Sequence, residues 1–173
     1  EFRRVLFRSM NSKKLFIWGF LFMSVIGTLL HFVYEWSGNN SIVRLFAPWN
    51  ESTWEHMKLL FFPMLALVLF LFFKLPEQSP IPVALSIGTL VGLALIPILF
   101  YTYTGVLGFS VMAIDIAIFY ISVLGAFLIG WFLNDNRELA NRRGLLLTCL
   151  VILAILFFIF SYYPPEIGLF QEP

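Results

Sequence analysis

Five long apolar runs, separated by short polar stretches, make up most of the chain. They fall at about residues 15–35, 52–73, 81–101, 108–133 and 145–163. Crossing the hydrocarbon core of a bilayer takes about 20 residues at 1.5 Å rise each, and each run meets that length. The second is continuously apolar only from Leu59 to Phe73, so it spans only if its helix begins near Ser52. Backbone groups in lipid must be satisfied internally, so the runs are expected to be helices. The connections, 74–80, 102–107 and 134–144, are too short for a globular domain. The pattern therefore predicts an all-α, polytopic transmembrane bundle of five spanning helices, forming one membrane domain over residues 10–173. The first run is longer than a signal-peptide core and is followed by no A-x-A-like cleavage site, so it is expected to remain as a helix.

Composition removes the soluble alternative. Sixty per cent of residues are hydrophobic, only 12% are charged, and phenylalanine occurs 21 times; a soluble domain of this size cannot hide that much apolar surface. Residues 1–9 (EFRRVLFRS) read as translated sequencing-adapter sequence ahead of a natural start at Met10. Setting aside Glu1, Arg3, Arg4 and Arg8 moves the formal net charge from +1 to −1. No basic tail is then left to favour nucleic acid, and none is expected as a partner. Cys149 is the lone cysteine and lies in an apolar run, which rules out a disulfide within the chain.

Basic residues fix the expected orientation. Lys13, Lys14, Lys74, Arg137, Arg142 and Arg143 fall on one side of the five spans, and Arg44 and Lys58 on the other. The N-terminus is thus expected in the cytoplasm and the C-terminus outside the cell membrane. Trp18 and Trp131 mark the inner interface; Tyr34, Trp36, Trp49, Trp54, Tyr101, Tyr103, Tyr162 and Tyr163 mark the outer one. Pro63 and Pro97 lie within spans and are expected to kink them. Gly88 and Gly92 form a G-x-x-x-G pair suited to close helix packing, and a second copy of the chain could dock on that face.

The remaining polar residues collect toward the outer half. Ser24, Thr28, His31 and Glu35 are spaced to line one helical face, which should turn inward, because a histidine or carboxylate facing lipid costs several kcal/mol. Pro48 to Lys58 (PWNESTWEHMK) is the densest polar segment. Asp115 is expected about two turns below the outer end of the fourth span, with Ser122 on its face further in. Two histidines and several carboxylates from different helices suit a divalent metal, with His31, Glu35 and His56 as ligands and Glu55 or Asp115 as general base. Thr28, Asn50, Glu51, Ser52, Trp54 and Lys58 would line the pocket. Structural roles account for several of the same residues. Ser52-Thr53-Trp54-Glu55 fits a capping box, Trp49 and Trp54 fit a hydrophobic staple, and His31 with Glu35 fits a plain hydrogen bond. The spacing matches neither H-E-x-x-H nor a cysteine-based zinc motif, and no phosphate-binding glycine loop or G-x-S-x-G is present.

Three segments, HFVYEWSGNN (31–40), PWNESTWEHMK (48–58) and SYYPPEIGLFQEP (161–173), together resemble an uncharacterised family of small bacterial multi-pass membrane proteins, a domain of unknown function with an N-E-S-x-W-E-H-x-K signature. Trp49 stands where the family pattern leads one to expect a small aliphatic residue, and the family is expected to run beyond Pro173. The resemblance implies that the outer motif and the tail belong to one surface, and it brings no activity with it. Three function classes follow from the residues: a membrane protein with an outward-facing polar pocket, a metal-dependent hydrolase acting on a lipid or envelope substrate, and a small oligomeric transporter or regulatory subunit.

Overall fold

The computed structural model describes the backbone of residues 2–173 and the side chains from Ser12 onward. Glu1 and the side chains before Ser12 lie outside the described residues, and with them the expectation about residues 1–9. Among the described residues the chain forms five long α-helices: α1 Phe2–Trp36, α2 Thr53–Lys74, α3 Ile81–Leu107, α4 Met112–Leu133 and α5 Arg143–Tyr162. All five are long and apolar enough to cross a membrane, α5 together with the 3-10 turn Arg137–Arg142 that leads into it. The end of the bundle that carries the 37–52 loop is called the upper end below, and the end that carries residues 134–142 the lower end.

The centre is built by α2 and α3. Helix α4 packs most extensively on α3, α1 leans on α2 and α4, and α5 packs on α2 and α3. The α3–α4 contact depends on glycine. A Cβ on Gly88 would fall inside the van der Waals envelope of the Ala126 carbonyl oxygen, and one on Gly92 would lie 2.8 Å from the Ser122 carbonyl oxygen. The G-x-x-x-G face expected to receive a second copy is therefore covered by α4 of the same chain. An aromatic column fills the upper core: the Trp54 and Phe157 rings are 4.5 Å apart, and Phe61 and Phe157 4.8 Å apart.

Two boundaries differ from the hydropathy reading. Helix α3 continues six residues past Tyr101, because Thr102 and Thr104 return their hydroxyls to the carbonyls of Ile98 and Phe100 and so lose little by entering the helix. Gly108, at φ +80°, closes it in the left-handed conformation that favours glycine. Residues 108–111 then form the turn, and α4 starts at Met112. Asp115 therefore lies in the first turn of α4 rather than two turns down.

Candidate metal centre and buried ion pair at the upper end

Helix α2 begins on Ser52, whose hydroxyl accepts the Glu55 backbone N–H at 3.3 Å. Half of the capping box is thus present. The Glu55 carboxylate reaches the Trp49 N–H at 3.4 Å, not that of Ser52, which bonds to the Asn50 side chain instead. Glu51, one residue ahead of the cap, is outside the helix and on a different path from Glu55. The two carboxylates expected to share a face consequently serve two different clusters.

The first cluster joins α1, the loop and α2. One ligand atom each from His31, Glu51 and His56 lies within 4.8 Å of the other two. The imidazole rings of His31 and His56 are 5.4 Å apart, tilted by 34°. His56 Nδ1 is 3.0 Å from the Ser52 carbonyl oxygen, so that nitrogen carries the proton and donates it. Nε2 of His56 is left facing Glu51 Oε2 at 3.3 Å. The His56 hydrogen bond holds the Glu51 carboxyl below the usual carboxylate range, against a smaller opposing effect of burial. Glu51 therefore stays anionic at neutral pH.

Glu35, expected as a ligand with the histidines, is exposed at the end of α1 and stands outside this trio. Helical spacing puts it one turn above His31, but the loop brings Glu51 beside the two histidines. Thr28, one turn below His31, bonds across to Tyr120 of α4 at 2.9 Å. The Asp115 carboxylate accepts a hydrogen bond from the Tyr103 hydroxyl of α3.

The second cluster has a buried centre of Glu55, Lys58 and Ser161 and a half-buried rim at Arg44. Lys58 has no exposed surface, and its three ammonium protons have three acceptors: Glu55 Oε2 at 2.6 Å, Ser161 Oγ at 2.5 Å and the Arg44 carbonyl at 2.8 Å. The Ser161 hydroxyl also lies 3.3 Å from Glu55 Oε1. Arg44 donates to the Ser161 carbonyl at 2.6 Å and stacks on Trp49, its guanidinium carbon 3.7 Å from the ring centre. The Tyr162 ring also lies near Arg44, its centre 4.9 Å from the guanidinium carbon, and its hydroxyl donates to the Ser41 carbonyl at 2.7 Å. The tail closes over Trp54 through Phe170, ring centres 4.9 Å apart, and Tyr101 donates to the Gly168 carbonyl. Glu55 and Lys58, expected as base and pocket residue, thus form a buried staple between loop, α2 and α5. Trp49 and Trp54, expected as a staple pair, have separate partners: Arg44 for the first and the aromatic core for the second.

Sequence reasoning missed Ser161, Tyr103 and Tyr120 as members of these clusters, and took Arg44 only as a loop charge. A serine one residue before the expected tyrosine pair, ending an otherwise apolar run, was the available signal for the first.

Five helices long and apolar enough to cross a membrane, with charged groups at both ends of the bundle, are compatible with a multi-pass membrane protein. The chain belongs to the family described as a family of unknown function (DUF6512), whose model matches residues 6–173. No curated protein and no solved structure matches it.

Proposed function

We propose that this protein holds one divalent cation of the zinc class through His31, Glu51 and His56 at the extracytoplasmic face of a membrane. The observation that carries the reading is the meeting of His31, Glu51 and His56, one ligand atom of each within 4.8 Å of the other two. Nδ1 of His56 is committed to the Ser52 carbonyl, so Nε2, which donates to Glu51 as the imidazolium, becomes a ligand when a cation takes the place of its proton. The 3.3 Å separation is long for a charge-assisted hydrogen bond, typically about 2.7–2.9 Å. It matches the edge of a tetrahedral zinc site, about 3.3 Å for ligands at about 2.0–2.1 Å. His31 brings a ligand nitrogen from α1 to within 4.8 Å of the other two ligand atoms.

Three protein ligands leave a fourth position open, the arrangement found in hydrolytic rather than structural zinc sites. A water held there is acidic enough to supply hydroxide near neutral pH. Hydrolysis of an ester or phosphoester at the membrane surface, on a lipid or envelope component, is the chemistry this arrangement favours. Glu51 is the least buried ligand, with 65% of its side chain exposed, and gives access from the aqueous side.

Orientation supports the outward placement. Lys13, Lys14, Lys74, Arg137 and Arg142 are exposed at the lower end. At the upper end Lys58 is buried and paired, and Arg44 lies near the rings of Trp49 and Tyr162. Positive charge free to face the cytoplasm is therefore concentrated at the lower end, as the positive-inside rule requires.

Elemental analysis of detergent-purified protein tests the reading. Close to one zinc-class ion per chain is expected in the wild type, and a large loss of it in a His31→Ala/His56→Ala double variant. Equal metal content in the two proteins, or none in either, contradicts the assignment.

A further inference from the structure

The two histidines of the candidate site differ in how their outer nitrogens are held. His56 Nδ1 is anchored on the Ser52 carbonyl, whereas His31 Nδ1 is buried without a hydrogen-bond partner. A ligating imidazole almost always has its second nitrogen fixed by a carboxylate, a carbonyl or water, which sets the tautomer and aims the ring.

The packing of α1 on α4 identifies the group that stands opposite His31. The two helices run antiparallel. Gly19 lies against the ring of Phe127 and Gly27 against the ring of Phe119, so eight residues forward on α1 match eight residues back on α4. The Thr28–Tyr120 hydrogen bond belongs to the same seam. One turn further up from Gly27 is His31, and one turn further up from Phe119 is Asp115. The Asp115 carboxylate is held from the far side by the Tyr103 hydroxyl on Oδ1, which leaves Oδ2 uncommitted among the described contacts. Asp115 is also within electrostatic range of the His56 ring. It is not among the three residues whose ligand atoms cluster.

We infer that Asp115 is the carboxylate that takes up the unpartnered His31 Nδ1–H once the cation is bound, turning Nε2 toward it, while Tyr103 holds the carboxylate in place. This rests on the metal reading above. It makes Asp115 a positioning residue, reached from a fourth helix, and so ties α3 and α4 to the geometry of a site whose ligands come from α1, the loop and α2.

The test is zinc affinity of the full chain in detergent, measured by competition with a chromophoric chelator. Wild type, Asp115→Asn and Tyr103→Phe are compared at one pH. Asparagine keeps an oxygen for Tyr103 but removes the anion, so zinc binding should weaken by about 10–100-fold with one site per chain retained. Nitrogen-15 NMR adds a readout that loss of packing alone would not produce. A strongly deshielded His31 Nδ1–H proton is expected in the zinc-loaded wild type and absent in Asp115→Asn. Tyr103→Phe leaves the carboxylate present but unheld, and should weaken zinc at least threefold; it serves in place of Asp115→Asn should that variant not fold. Zinc affinity in both variants within twofold of wild type overturns this proposal alone. Complete loss of the site in Asp115→Asn also overturns it, since Asp115 would then be a ligand. A wild type that binds no zinc overturns the metal reading and this proposal with it.

Discussion

Lys58→Ala is expected to destabilise the folded bundle by about 3–5 kcal/mol, the effect typical of removing one partner from a buried ion pair. The ammonium has no exposed surface, and all three of its protons are used. Truncation leaves the Glu55 carboxylate enclosed against Ser161 with no cation beside it. It also removes the bond that ties the Arg44 carbonyl, and with it the 37–52 loop, to α2. A control separates the pair from its parts. Glu55→Leu/Lys58→Met removes both charges and substitutes side chains of similar bulk, so it should cost markedly less than Lys58→Ala alone. Equilibrium unfolding in mixed detergent measures both. A Lys58→Ala protein within 1 kcal/mol of wild type would show that the pair does not hold the upper end together.

The second large effect concerns α3 and α4. Gly88→Ala places a methyl group against the backbone of Ala126, which cannot rotate away as a flexible side chain would. Overpacking of this kind typically costs about 1–3 kcal/mol, and contact with rigid backbone puts this case at the upper end, about 3 kcal/mol. Gly105 lies in the same helix, with nothing within 4 Å of an added Cβ. Gly105→Ala should therefore be neutral or should stabilise by up to about 1 kcal/mol, because alanine is the better helix former. The same unfolding assay reads the difference. Equal behaviour of the two variants would contradict the tight α3–α4 seam.

The helices were legible because lipid imposes a length and an apolarity that sequence displays directly. Their ends were less so. Thr102, Tyr103 and Thr104 look like a connection by hydropathy, yet threonine hydroxyls bonded back to their own helix let α3 continue. The same misreading started α4 four residues early, at 108 instead of Met112, and so displaced Asp115 from its true depth. The histidines were legible as residues that lipid does not tolerate unpaired. Their carboxylate partner was read only as a pocket residue, because 3.6-residue periodicity favours Glu35 as the ligand whereas Glu51, in the loop, arrives through the path of the chain. The Glu55–Lys58–Ser161 cluster lay beyond any local reading. Ser161 meets Glu55 across 106 residues, and Arg44 meets Ser161 across 117. No periodicity within one helix encodes contacts of that range.

The two clusters divide the work of the upper end. One is buried around the paired Glu55 and Lys58, which suits it to hold the loop, α2 and α5 in place. The other is open through Glu51 and brings two imidazoles to one carboxylate. Rigidity in the first supports geometry in the second, since His56 follows the Ser52 cap and Glu51 precedes it by one residue.

Zinc K-edge X-ray absorption on the purified, zinc-loaded protein tests the central claim most directly. The account predicts two imidazole nitrogens, seen by their multiple scattering, with one or two oxygens in a shell at about 2.0–2.1 Å and no sulfur near about 2.3 Å. A spectrum with no imidazole signature, unchanged in His31→Ala/His56→Ala, would contradict a metal centre built from His31, Glu51 and His56.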